Sequence, residues 1–138
     1  MMREILFRGK DSITKRWVYG ALVQQQDDPL REKAFIISYS NYQFGDFSEA
    51  VMHEVDPETV GQYTGFVDKN SKKIFEGDIV SIYNSKTFLF AVEWNNQYVL
   101  KCTTNGVSDN ILNVIESSED VEVVGNIYDN PELIKDGE

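Results

Sequence analysis

Residues 56 to 80 read Asp56-Pro57-Glu58-Thr59-Val60-Gly61-Gln62-Tyr63-Thr64-Gly65-Phe66-Val67-Asp68-Lys69-Asn70-Ser71-Lys72-Lys73-Ile74-Phe75-Glu76-Gly77-Asp78-Ile79-Val80, the densest run of structural instruction in the chain. Asp56 suits a helical N-cap and Pro57 the first helical position, where a missing N–H leaves nothing unsatisfied. Gly61 ends that turn. Gln62 to Asp68 and Lys72 to Phe75 then read as the arms of a β-hairpin folded at Asn70-Ser71, and Gly77 kinks the chain into a further strand from Asp78. A two-residue turn sets Val67 opposite Ile74, Phe66 opposite Phe75 and Asp68 opposite Lys73; a three-residue loop shifts that register by one. Either turn asks for positive φ near Ser71, which costs a non-glycine residue about 1 kcal/mol.

Outward from this stretch, the same grammar continues. Phe88, Phe90, Val92 and Trp94 alternate with Leu89, Ala91, Glu93 and Asn95, so the first set is expected to face a core. A turn over Asn95-Asn96-Gln97 brings Tyr98, Leu100 and Cys102 opposite Trp94, Val92 and Phe90. Upstream, the apolar run Ile5-Leu6-Phe7, then Arg16 to Val23 and Lys33 to Tyr39, read as strands, with Gly20 marking a bulge or a close backbone approach. Gln24 to Pro29 reads as an exposed loop. Glu49 to Val55 is a strand carrying the single histidine, His53. Thr103 to Asn110 reads as a turn-rich connection and Glu116 to Asp120 as an acidic loop. Val121 to Tyr128 is the last strand, and Asn130-Pro131 repeats the helix-start pattern. No stretch supports a helix longer than two turns. The expectation is a mainly β, single domain over residues 1–138.

The 138 residues carry thirteen basic and twenty-three acidic side chains, a net charge of −10, which repels phosphate backbones and anionic lipid. The excess is uneven: residues 1–60 hold seven bases and ten acids (net −3), residues 61–104 five and four (net +1), and residues 105–138 one and nine (net −8). Cys102 is the only cysteine, so no intrachain disulfide forms. The N-terminus lacks a signal pattern and no apolar run approaches the ~20 residues of a membrane span, so a cytoplasmic protein is expected.

Phe7-Arg8-Gly9-Lys10, Trp17-Val18-Tyr19-Gly20, Asp56 to Gly65, Asp68-Lys69-Asn70, Ile74 to Val80 and Val124 to Leu133 together resemble the YopX protein family of phages and prophages. Residues 24–55 match weakly, as a variable insertion does. The resemblance implies an all-β fold of meander strands, an N-terminal β part over 1–55, an SH3-like barrel in the C-terminal part over 56–138, and a phage-encoded origin inside a host bacterial cell. It implies no catalytic residue. The family often has glycine where Ser71 stands.

Chemistry-bearing patterns are sparse. Cys102 and His53 are the only thiol and imidazole, with no local signature of nucleophilic catalysis around either. Glu116, Glu119, Asp120 and Glu122 read as a solvated acidic loop, and no His, Cys or Asp-x-Asp arrangement sets up a metal. No phosphate-cradling glycine motif occurs. No enzyme activity, cofactor or metal is therefore expected. Tyr42, Phe44 and Phe47 place unusual apolar weight in a loop, where they either fold over the core or meet a partner. The expected function is a noncatalytic phage accessory module that binds another protein or itself. The alternative is a small β-barrel that binds single-stranded nucleic acid, with Lys69, Lys72 and Lys73 at a hairpin tip as the visible cations.

Overall fold

The computed structural model describes residues 4–25, 32–41, 48–82, 89–95, 97–102, 108–110 and 121–134. Its regular elements are antiparallel strands and two 3-10 turns: β1 (Phe7–Lys10), β2 (Trp17–Gln25), β3 (Lys33–Asn41), β4 (Ser48–Val55), the turn Pro57–Thr59, β5 (Gly61–Val67), β6 (Lys73–Phe75), β7 (Asp78–Ser81), β8 (Leu89–Trp94), β9 (Tyr98–Cys102), β10 (Ser108–Asn110), β11 (Glu122–Asn126) and the turn Pro131–Leu133. The chain divides into two compact units, Met1–Gln62 and Tyr63–Glu138. Tyr42, Phe44 and Phe47, the loop aromatics singled out above, lie outside the described residues, as do Glu116, Glu119 and Asp120.

In the first unit β4, β3, β2 and β1 follow one another in a meander, and β1 also pairs with Gly61 and Gln62. Ala34, Ile36 and Val55 are fully buried on one face of this sheet, with Phe7, Val18, Leu22 and Val60 against them. The alternation that buries them is the period of the strand. The sheet curls back on itself, because Asp11 bridges to Val55, the Ser12 amide donates to the Glu54 carbonyl at 3.0 Å, and the Asp56 amide donates to the Lys10 carbonyl at 2.9 Å. Gly20 is a close approach: a Cβ there would stand 1.9 Å from the Ile37 carbonyl oxygen on the neighbouring strand. The Pro57 turn forms as expected, but the Asp56 carboxylate does not cap it and instead holds Lys15 Nζ at 2.9 Å.

In the second unit the sheet order is β10-β9-β8-β7-β11, around a core of Ile74, Val80, Ile82, Val92, Leu100 and Val121. The β8–β9 register is the expected one, with Trp94, Val92 and Phe90 opposite Tyr98, Leu100 and Cys102. Two expectations need correcting. Trp94 shares its face with Val92 yet is 58% exposed, because it stands at the hairpin tip, beyond the core, with its ring edge-on to Tyr98 at 4.8 Å between centroids. Residues 108–110, read as connection, form β10 against β9.

The central hairpin adopts the three-residue loop. Val67 pairs with Lys73, the Asp68 amide donates to the Lys72 carbonyl, and the register slips again before Tyr63 meets Phe75, so Val67 does not face Ile74. Ser71 carries the anticipated positive φ, 63°. Asp68 explains why a serine is tolerated there. The residue is 6% exposed, and its carboxylate takes the amides of Asn70 (2.8 Å) and Lys72 (2.9 Å) on Oδ1, and the amide of Val123 on β11 (3.0 Å) on Oδ2. One side chain thus shapes the loop and ties it to a strand 55 residues away. Gly77, at φ 88°, turns the chain from β6 into β7, and its amide donates to the Val92 carbonyl.

Candidate functional site

His53 lies on β4 opposite Ile36, so it points to the same side of the sheet as the Ala34, Ile36 and Val55 core. Ser38, two residues beyond Ile36 on β3, shares that side and is the diagonal neighbour of His53. Asp11 arrives from the end of β1 through its bridge to Val55. The three side chains form one chain of polar contacts: Asp11 Oδ2 to His53 Nδ1 at 3.2 Å, and His53 Nε2 to Ser38 Oγ at 3.2 Å. In the tautomer that carries its proton on Nδ1, the ring donates to Asp11 and accepts from the serine hydroxyl at Nε2.

Asp11 is a strong anchor for this chain. Its Oδ1 accepts the amides of Ile13 (2.9 Å) and Thr14 (3.0 Å), folding the 11–16 turn. The Thr14 and Ile13 amides, foremost, then His53 through its hydrogen bond and its charge, hold the Asp11 carboxyl below the usual carboxylate range against the opposing effect of burial.

The connectivity is that of a serine, a general base and an orienting carboxylate. Two features describe how it is set in the sheet. Ser38 stands within an unbroken run of eight β3–β4 pairs, directly opposite Val51. Acyl transfer needs N–H donors aimed at a developing oxyanion beside the nucleophile. A serine in mid-strand offers none of the sharp backbone turn that supplies them. The arrangement locks the β1–β2 turn onto β3 and β4.

The thiol and imidazole weighed from sequence belong to different units. Cys102 ends β9 opposite Phe90 in the second unit; His53 is on β4 in the first, with both ring nitrogens engaged as above. Glu122 accepts Lys69 Nζ at 3.3 Å, and among the described residues no group of three His, Cys, Asp or Glu side chains is placed to hold a metal ion. Among them, too, no helix is long and apolar enough to cross a membrane.

The surface feature that sequence reading missed is the outer face of the first-unit sheet, opposite the core. Register places Val23, Phe35 and Glu54 in one row across β2, β3 and β4, and Ala21, Ile37 and Met52 in the next. Met52 is 59% exposed and Val23 41%, while Phe35 and Ile37 are half-buried between them. Toward β1 the same side carries Arg8 beside Tyr19 and Lys10 beside Trp17, with Arg8 buried at 5% exposure. Apolar residues on both faces of Lys33–Ser38 were the available signal, since a strand with one solvated face alternates more strictly.

Compared with known proteins, residues 6–135 match the model of the family described as YopX protein. A solved structure, that of protein EF1440 from Enterococcus faecalis, is similar over 97% of this chain and 100% of that chain, with 21% sequence identity and a TM-score of 0.59. At that identity the likeness concerns the fold. No curated protein matches the sequence.

Proposed function

The chain belongs to the YopX protein family, and from that premise we propose that it is a noncatalytic phage or prophage accessory protein that acts inside the host cell by binding a protein partner or a second copy of itself. The observation that carries this reading is the apolar part of the outer sheet face, where Val23, Ala21, Phe35, Ile37 and Met52 lie side by side. Exposed large apolar residues scattered singly need no explanation; two adjacent rows of them on one sheet face do. An SH3-like closure of residues 56–138, as the family resemblance implies, is part of the same proposal, as is a contribution from Tyr42, Phe44 and Phe47. The polar chain at His53 supports a noncatalytic role, because its members are consumed in holding strands together.

The test is a photo-crosslinking residue in place of Met52 in a lysogenic host, combined with sedimentation of the pure protein and of its Met52→Lys and Val23→Lys variants over a hundredfold concentration range. A specific adduct, or self-association abolished by the lysines, supports the reading. A monomer at every concentration that yields no adduct overturns it.

A further inference from the structure

Of the strands that end a sheet order, β4 is the long one. β6 and β10 are three residues each, and β11 is broken by a register shift between Val123 and Gly125, with the Val123 amide held by Asp68. β4 runs for eight residues in unbroken register with β3, and among the described residues no strand lies beyond it. An open edge presents a row of main-chain donors and acceptors, which proteins blunt with lysine, proline, a bulge or a cover. Residues 48–55 contain no lysine, no proline and no bulge.

A cover is present at one end only. The Glu54 carbonyl accepts the Ser12 amide at 3.0 Å and the Ser12 hydroxyl at 3.2 Å, so Glu54 turns its main chain away from β3. In an antiparallel ladder that direction alternates from one residue to the next. Because the register continues without a break, Met52, Ala50 and Ser48 direct their amides and carbonyls to the same free side. No hydrogen bond from a described residue reaches the main chain of Ala50 or Met52 there, and Ala50, Val51 and Met52 are all exposed.

We infer that two copies of this chain pair antiparallel along this edge, β4 to β4, about a two-fold axis at Ala50. That register sets Ser48 of each copy across from Met52 of the other and uses every outward group from 48 to 52. An axis at Val51 or Met52 calls on Glu54, whose carbonyl Ser12 already holds. With the axis at Ala50 no carboxylate within 48–52 falls opposite another, since Glu49 meets Val51. A two-fold pair closes both edges at once, whereas a foreign strand added to β4 leaves a new open edge in its place. The contact rests on the self-association branch of the function proposed above, but it is made by main chain at the edge and not by the side chains of the outer rows.

The experiment is sedimentation velocity of the full chain over a hundredfold concentration range in about 150 mM KCl, which screens the repulsion between two copies of net charge −10. Wild type, Ala50→Pro and Val23→Lys are compared, each checked by circular dichroism for native fold. The Ala50 amide points away from β3, so proline there removes an edge donor and spares the β3–β4 ladder. Wild type is expected to dimerise, and Ala50→Pro to weaken the dimer roughly 5- to 150-fold through the donor lost from each copy. Hydrogen exchange supplies a readout that needs no variant: raising the concentration slows the amides of Ala50 and Met52 and leaves those of Val51 and His53, which face β3, unchanged. A wild-type chain that stays monomeric overturns the inference, and the outer-face reading then depends on the Met52 adduct alone. A dimer lost in Val23→Lys but kept in Ala50→Pro, or one that leaves Ala50 and Met52 unprotected, overturns the edge contact while the outer-face reading stands.

Discussion

Replacing Asp68 tests the strongest structural claim made for this fold, that one carboxylate sets both the 68–72 loop and the position of β11. Its three acceptor bonds are unequal in worth. Asn70 and Lys72 are exposed, so water takes over when the carboxylate leaves, and each bond is worth about 0.5 kcal/mol. The Val123 amide is partly buried and loses its charged partner outright, a loss of roughly 2 kcal/mol. Asp68→Ala is therefore expected to destabilise by about 3 kcal/mol, which lowers the thermal midpoint of a chain this size by roughly 10 °C. Asp68→Asn keeps an oxygen for the loop but turns an NH2 toward the Val123 N–H, and is expected to cost about 2 kcal/mol. Burial raises the Asp68 carboxyl pKa; the Val123, Lys72 and Asn70 amides, with the charge of Lys72, outweigh it and hold the carboxyl below its usual range. A depressed folded-state value means the stabilisation is complete above the unfolded-state value near 3.9 and disappears as pH falls through the lower, folded one. The urea-derived gap between wild type and Asp68→Asn should thus be constant from pH 7 to about 5 and shrink toward pH 2. Faster hydrogen exchange at the Val123 amide should accompany it. A loss below about 1 kcal/mol for Asp68→Ala, or a gap unchanged at pH 2, refutes the reasoning.

The remaining predictions are simpler. Gly20→Ala puts a Cβ 1.9 Å from the Ile37 carbonyl oxygen, so β2 and β3 must part, and a loss of roughly 3 kcal/mol or more is expected by urea titration. Ser38→Ala is expected to lower stability by about 1 kcal/mol, and the wild-type serine to resist fluorophosphonate labelling followed by mass spectrometry; stoichiometric labelling at Ser38 would show the His53 chain to be catalytic. Val92→Ala, at a fully buried site, should cost roughly 2 to 3 kcal/mol, whereas Trp94→Ala, at an exposed hairpin tip, should cost about 1 kcal/mol or less through its lost contact with Tyr98. Comparable losses at the two positions would contradict the placement of Trp94 outside the core.

What the sequence by itself determined is local. Alternation marked β8 and, with the Asn95–Gln97 turn, its register with β9; Gly20 announced a bulge or a close approach, of which the second forms; Pro57 and Pro131 marked the two short turns; and the demand for positive φ at Ser71 was visible in its neighbours. These follow from backbone sterics and side-chain period, which act within a few residues. The tertiary structure decided the rest. The central hairpin chose the three-residue loop because Asp68 is fastened from outside, by an amide of β11 that no local rule could locate. Trp94 has the parity of a core residue, but parity fixes a side and not how far along the strand the core extends. The Asp11–His53–Ser38 chain and the outer face of β2–β4 exist only once β3 and β4, joined through residues 42–47, are set in register. That register was chosen by burying Ala34, Ile36 and Val55 together, a free energy that belongs to the packed sheet and to no single strand.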